Sequence, residues 1–411
     1  MLIRLPNSCI HAFVRFKVEL DKAKKLAITY ENDSLLLLIR RTELKYLSAL
    51  DFKTISEKQL VNKQMKINEV LKYARTLNQH TQLYDILKHR LINKGYIRSD
   101  KQKEDLNDLV LSELHLIANN SYQGFEAQKL HLLFQATYYL NSGNYKSAIR
   151  YYQELINLFN DNQHLILNPP IYYLSAIQGI LDSLCIAGLY HETPFFLSKL
   201  EELTQNEYST EFILHLKTLI YIYKSNSLLQ AGNFEQALEL RDKQENELLK
   251  KVTSLGLESQ LRLYLSFAVL GMYTKDYVQA RKYMKKIFSL GKLFCAFPSY
   301  KIARLVNLLL QAELGNYDFF ENEIISIKRN IRFEKQTYIT EKLIFKFIQG
   351  YPLPSYEKAR NKRWLQYQKD IQKIEQDKYE RQLLKTFDVL AWIESKLTQR
   401  SLADIFAEKA H

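Results

Sequence analysis

The sequence predicts an all-α protein, a solenoid of antiparallel helical hairpins, and three observations carry that expectation. Glycine and proline, which punctuate turns, number only 11 and 7 in 411 residues. A sheet protein of this length needs many more. Leu, Lys, Glu, Gln and Ala, all good helix formers, fill most of the stretches between them. One short turn pattern also recurs five times at a nearly fixed spacing.

That pattern is turn–x–aromatic–x–x–small or apolar. It reads Gly143-Asn144-Tyr145-Lys146-Ser147-Ala148, then Gly188-Leu189-Tyr190-His191-Glu192-Thr193, then Gly232-Asn233-Phe234-Glu235-Gln236-Ala237. Lys275-Asp276-Tyr277-Val278-Gln279-Ala280 and Gly315-Asn316-Tyr317-Asp318-Phe319-Phe320 complete the set. Successive first residues stand 45, 44, 43 and 40 apart. A glycine between two helical runs takes the left-handed conformation that ends the first at no steric cost. The aromatic two residues later is expected to open the second helix and to wedge between neighbouring helices. Ala148, Ala237 and Ala280 are small where the backbones are to approach. An apolar run precedes each turn, at residues 130–140, 172–186, 212–229, 261–273 and 302–314. A second run follows, as in Ala148, Ile149, Tyr152, Leu155, Ile156 and Phe159, whose spacing makes one helical face.

These residues resemble the tetratricopeptide repeat, whose pattern Ala136, Gly143, Tyr145, Ala148, Tyr152 and Leu155 match in the best copy. The departures are a step averaging 43 against the family's period of about 34, Lys275 for the glycine, Thr193 and Phe320 for the alanine, and no closing proline. HEAT and armadillo repeats have periods nearer this one, but Gly-x-aromatic-x-x-Ala is not their mark. The run as a whole, through Ser401-Leu402-Ala403-Asp404-Ile405-Phe406, is similar to long-repeat bacterial tetratricopeptide proteins. The resemblance implies a right-handed α-α superhelix, a tetratricopeptide-like solenoid whose task is to hold a protein or peptide without catalysis. It divides the chain into degenerate helical hairpins over 1–124, a repeat array over 125–330 and a helical capping segment over 331–411.

The flanks read as further helices. Leu20, Ala23, Leu26 and Ala27 are expected on one face, followed by an amphipathic helix over 35–50 and another over 82–93 that ends at Gly95. Residues 13–30 read as the second helix of a hairpin, so the chain is expected to begin part-way into an array. Pro352 and Pro354 mark a break after the fifth repeat. Two helices, over 356–376 and 379–397, should form a terminal hairpin whose polar outer face keeps a solenoid soluble. Trp364 and Trp392, the only tryptophans, are expected as core anchors there.

Chemistry finds little support. The sequence holds no GxGxxG, GxxxxGK[ST], HExxH or GxSxG and no zinc-spaced Cys or His pair, so no catalytic, cofactor or metal residue is assigned. Gly291-Lys292 lacks a preceding glycine-rich loop. His89, His115, His131 and His191 read as packing or solvated residues. Cys9, Cys185 and Cys295 are too few and too scattered for a disulfide framework, and fit a reducing cytoplasm. Cys185, in an apolar helix, is expected to be buried and inert. The stretch from 171 to 190 is the most membrane-like, but Ser175, Gln178, Asp182 and Ser183 and its place inside a repeat speak against a span. No signal peptide opens the sequence.

The candidate ligand surface follows from stacking, since the first helices of such hairpins line a concave groove. Ser175, Gln178 and Asp182 share one face of an otherwise apolar helix. Asp182 aligns with Thr137 and Asn226 in the neighbouring repeats, and Asn141 and Gln230 lie one turn further along. Asn141, Ser175, Gln178, Asp182, Asn226 and Gln230 therefore form an expected polar strip for an extended peptide. The bland alternative is that these positions only face water. The competing function rests on charge. Residues 1–100 hold 19 Lys and Arg against 10 Asp and Glu, 101–327 hold 21 against 24, and 328–411 hold 18 against 11. Basic ends, with Lys358-Ala359-Arg360-Asn361-Lys362-Arg363 as the best cluster, suit nucleic acid, although no helix-turn-helix or RNA-binding signature accompanies them.

Overall fold

The structure, a computed structural model, describes residues 7–94, 97–118, 124–291, 297–334 and 338–410, without the side chains of 7–14, 94, 330–334 and 410. The expected helix end at Gly95, the thiol of Cys9, Lys292 and Cys295 lie outside the described residues. Among the described residues every regular element is helical. In chain order these are α1 (Asn7–Thr29), α2 (Asp33–Ala49), α3 (Glu57–Lys94), α4 (Asp100–Glu104), α5 (Asn107–Ala118), α6 (Phe125–Asn141) and α7 (Tyr145–Asp161). Then come α8 (Ile171–Ala187), α9 (Thr193–Leu203), α10 (Thr210–Gln230), α11 (Phe234–Lys250), α12 (Leu257–Tyr273), α13 (Tyr277–Ser289), α14 (Pro298–Glu313) and α15 (Asp318–Glu334). The last five are α16 (Ile339–Ile348), α17 (Glu357–Gln376), α18 (Arg381–Leu384), α19 (Val389–Thr398) and α20 (Leu402–Ala410).

The chain makes two compact units. The first takes the described residues up to Leu87, with Asn107–Phe134 and Glu154–Leu167. Its helices α1 and α2 pack on each other across a turn where Asn32 Oδ1 accepts from the Leu35 amide (3.0 Å) and so caps α2. Ala27, Leu36, Ile39 and Val70 are buried there, with Leu20, Ala23 and Leu37 against them. Leu26 is instead 57% exposed. At 3.6 residues per turn it lies about 100° round the helix from Ala27, beyond the edge of the buried stripe. His131 is a packing residue in this unit, its Nδ1 lying 2.5 Å from the buried Glu113 carboxylate.

The second unit takes Lys88–Leu106, Gln135–Gln153 and the described residues from Asn168 onward. All five recurring turns fall in it, and the first residue of each is left-handed: Gly143, Gly188, Gly232 and Gly315 at φ 73–78°, and Lys275 at 62°. After each of the four glycines the next amide reaches back five residues, as Asn144 N to Tyr139 O (3.0 Å), Leu189 to Leu184, Asn233 to Leu228 and Asn316 to Gln311. This closes the first helix in the same way each time. The sixth position is buried throughout: Ala148, Thr193, Ala237 and Ala280 have no exposed surface, and Phe320 is 8% exposed. The aromatic position departs from expectation. Tyr145 is buried, Tyr190, Phe234 and Tyr277 are half-buried, and Tyr317 is 43% exposed. These rings sit at the bend, where their cover comes from elsewhere in the chain.

Successive hairpins pack by adjacency. Helix α8 pairs with α9, α10 with α11, α12 with α13 and α14 with α15, and α9, α11 and α13 each touch the next hairpin's first helix. The first helices α10, α12, α14 and α16 also pack in succession. From there α17 packs on α16, α19 on α17 and α20 on α19, while α18 reaches α8 and α20 reaches α10. The C-terminal stretch thus returns along the hairpin bends. The helix expected over 379–397 is broken into α18 and α19 for this path. Asp388 caps α19, with Oδ1 accepting from the Ala391 amide (2.9 Å) while its own amide donates to Tyr273 Oη (2.7 Å). Phe387 stacks on Tyr273 (5.0 Å between centroids), and Phe406 meets both Tyr273 and Phe234 edge-on. Phe387 and Phe406 are almost fully buried, and each contributes roughly 1.5–3 kcal/mol of apolar burial. Of the two tryptophans, Trp392 is a core anchor at 1% exposure, and Trp364 is half-buried.

Candidate binding groove

The expected polar strip lies on the first helices of the second unit, and the chain's own residues 378–388 run across half of it. Asp182, in the fourth turn of α8, is the centre. Its Oδ1 accepts from Tyr223 Oη (2.9 Å), Lys385 Nζ (3.3 Å) and Arg262 Nη2 (3.4 Å). Tyr223 comes from α10, Arg262 from α12 and Lys385 from the turn after α18, so three repeats and the returning segment converge on one carboxylate. Burial pushes this carboxyl up, but the Lys385 and Arg262 charges outweigh burial and hold it below the ordinary carboxylate range. Arg262 also donates to Tyr223 Oη (3.1 Å). Burial drives the Tyr223 hydroxyl well above its ordinary value, so it stays a donor to Asp182.

The same segment is also held at two of its main-chain carbonyls and through Gln382. Asn226 Nδ2 donates to the Lys385 carbonyl (3.1 Å), and Tyr145 Oη donates to the Lys378 carbonyl (2.6 Å). Gln382 Nε2 reaches the Asn141 carbonyl (3.4 Å), while the Asn141 amide donates to Thr137 of its own helix (2.8 Å). The returning segment thus touches Asn141 and Asp182 through the Gln382 and Lys385 side chains and Asn226 through the Lys385 carbonyl. The other three strip residues are not drawn in. Ser175 is exposed and its hydroxyl bonds back to Ile171 O (2.9 Å). Gln178 is half-buried on a cavity wall, and Gln230 is half-buried away from that cavity. Sequence reading missed Arg262, Tyr223 and Lys385. Arg262 was legible in principle as a lone charge in the apolar run 261–273, whereas Lys385 lies about 200 residues from its partner and gives no local signal.

Beside Asp182 lies a cavity of about 120 Å³, walled by Gln178, Tyr223, Asn226, Glu258, Arg262 and Lys385 among others. It is smaller than the ~300–1,000 Å³ of sites that enclose a drug-sized ligand, and is scaled to a single polar side chain. Cys185 adjoins it, and burial together with the Asp182 charge pushes its thiol up to about 12. The thiol is therefore protonated at neutral pH and is no nucleophile. Among the described residues no three His, Cys, Asp or Glu side chains gather as a metal site, and no helix is long and apolar enough to cross a membrane.

The basic cluster at 358–363 is partly committed to the fold. Arg360 Nη1 donates to the Pro354 and Ser355 carbonyls (3.2 and 2.6 Å) and Arg363 Nη1 to Gly350 O (2.9 Å). Lys358 and Lys362 remain exposed. Compared with family models, curated proteins and solved structures, the chain matches none.

Proposed function

We propose that this chain is a non-catalytic scaffold that binds a protein or peptide along the first-helix face of a right-handed, tetratricopeptide-like superhelix of hairpins, in the cytoplasm and without a cofactor. The observation that carries this reading is the way residues 378–388 are held. Side chains of the hairpins, the Asn226 amide and the Tyr145 hydroxyl, satisfy main-chain carbonyls at Lys385 and Lys378. Residues 381–384 of that segment are one helical turn and the held carbonyls flank it; an extended peptide needs such side-chain donors still more, because its own backbone groups have no regular partner. The cavity beside Asp182 supplies opposite charges, Asp182 and Glu258 against Arg262 and Lys385, able to select a polar side chain.

Panning a random peptide library on the full-length protein tests this, with selected peptides measured by fluorescence anisotropy. Ser175, Gln178 and Gln230 are strip residues whose side chains the returning segment does not engage, so their joint replacement by Ala leaves that segment seated. The triple variant should bind selected peptides about tenfold more weakly or worse, the loss of one or two hydrogen bonds. Full affinity in that variant rejects the groove.

A further inference from the structure

We propose that the cavity formed by α1, α2 and the start of α3 is a binding site for a small phosphate-bearing polyanion, with Arg40 as its principal ligand. The cavity measures about 360 Å³, within the range of sites that hold a small ligand. Lys17, Lys24, Arg40, Lys63 and Lys66 line it with a single carboxylate, Glu43. Glu43 is already matched, since Lys63 Nζ lies 2.5 Å from its Oε1. Lys17, Lys24, Arg40 and Lys66 have no acidic partner among the described residues. Four cations gathered at one concavity repel one another and raise the local concentration of anions.

Arg40 turns this from a charged surface into a site. Its Nε and Nη1 are buried and meet no acceptor among the described residues. Lys17 and Lys66 are exposed, whereas two buried guanidinium donors left unmet are unfavourable, and turning Arg40 toward the cavity to meet a phosphate breaks no hydrogen bond among the described residues. A guanidinium presents parallel N–H groups that fit two oxygens of one phosphate, a geometry ammonium groups lack. Thr54, Gln59 and Asn62 add neutral donors to the wall. The arrangement favours a compact ligand over nucleic acid, whose regularly spaced phosphates call for cations along a stripe; here they converge on one hollow.

Calorimetric titration of the full-length protein decides the matter, using sodium tripolyphosphate, pyrophosphate, orthophosphate and sulfate at matched ionic strength, and a single-stranded oligonucleotide. Tripolyphosphate should bind at one site and more tightly than sulfate, with affinity falling about tenfold or more in Arg40→Gln and in Lys24→Gln/Lys66→Gln. Should Arg40→Gln fail to fold, the lysine pair, away from the core, decides alone. Equal binding of sulfate and tripolyphosphate overturns the proposal, as does wild-type affinity in the variants. Oligonucleotide binding that exceeds tripolyphosphate binding and falls with the same substitutions would replace it with a nucleic-acid surface.

Discussion

Gly179 lies in the middle of α8, where alanine would ordinarily gain about 1 kcal/mol of helix propensity. A Cβ there would fall 2.2 Å from the ring of Tyr152, itself only 5% exposed and unable to swing away. Gly179→Ala should therefore destabilise the fold, by roughly 1–3 kcal/mol as overpacking does, read as a lower urea midpoint. A higher midpoint would mean the α8 contact is misplaced. Similar crowding was legible at the sixth turn position, where Ala148, Ala237 and Ala280 are small in the sequence and fully buried in the structure. It was not legible at Gly179, because nothing local distinguishes a glycine facing a ring from one that merely tolerates a helix. Lys275 shows the converse: its left-handed backbone was readable only because four glycines occupy the equivalent place.

The helices of the hairpins were legible because each bend carries its own signal, a left-handed residue followed by a helix start. The helices after Pro354 carry weaker signals. Residues 379–397 are good helix formers, yet the chain unwinds at 385–388, where Lys385 is drawn to Asp182 and Phe387 to Tyr273. Tertiary contacts override propensity here. Glu380 illustrates how these elements fix one another. Its carboxylate accepts from the amides of Ile339 (2.5 Å) and Thr340 (3.0 Å) and from the Thr340 hydroxyl (2.7 Å), capping α16 from 40 residues away. Burial raises this carboxyl despite those donors. Glu380→Ala orphans the first amides of α16 and should cost about 2 kcal/mol, at the upper end of a lost cap. Amide hydrogen exchange should quicken at the start of α16 while the α12–α13 pair stays protected. Equal acceleration in both would contradict a local cap.

Within the second unit the repeat array and the segment that returns along its bends form one packed body, and the candidate groove lies where the two meet. The sequence suggested the strip through the i, i+3, i+7 spacing of Ser175, Gln178 and Asp182, but it could not show that residues 378–388 already cover half of it. On the function proposed above, a partner peptide would take the open half, with the cavity beside Asp182 at the border. The claim on which this rests is that Lys385 is seated on Asp182, and a double-mutant cycle of Asp182→Asn and Lys385→Met by urea unfolding measures it. Both side chains are less than one-fifth exposed, so solvent screening is modest, and a coupling of about 2 kcal/mol is expected at neutral pH. The Asp182 carboxyl is held below its ordinary value of 3.8. Its contribution is thus complete above that value, falls away as pH drops through the lower folded value, and takes the coupling with it. Additive effects of the two substitutions at neutral pH would mean that residues 378–388 do not lie on the strip.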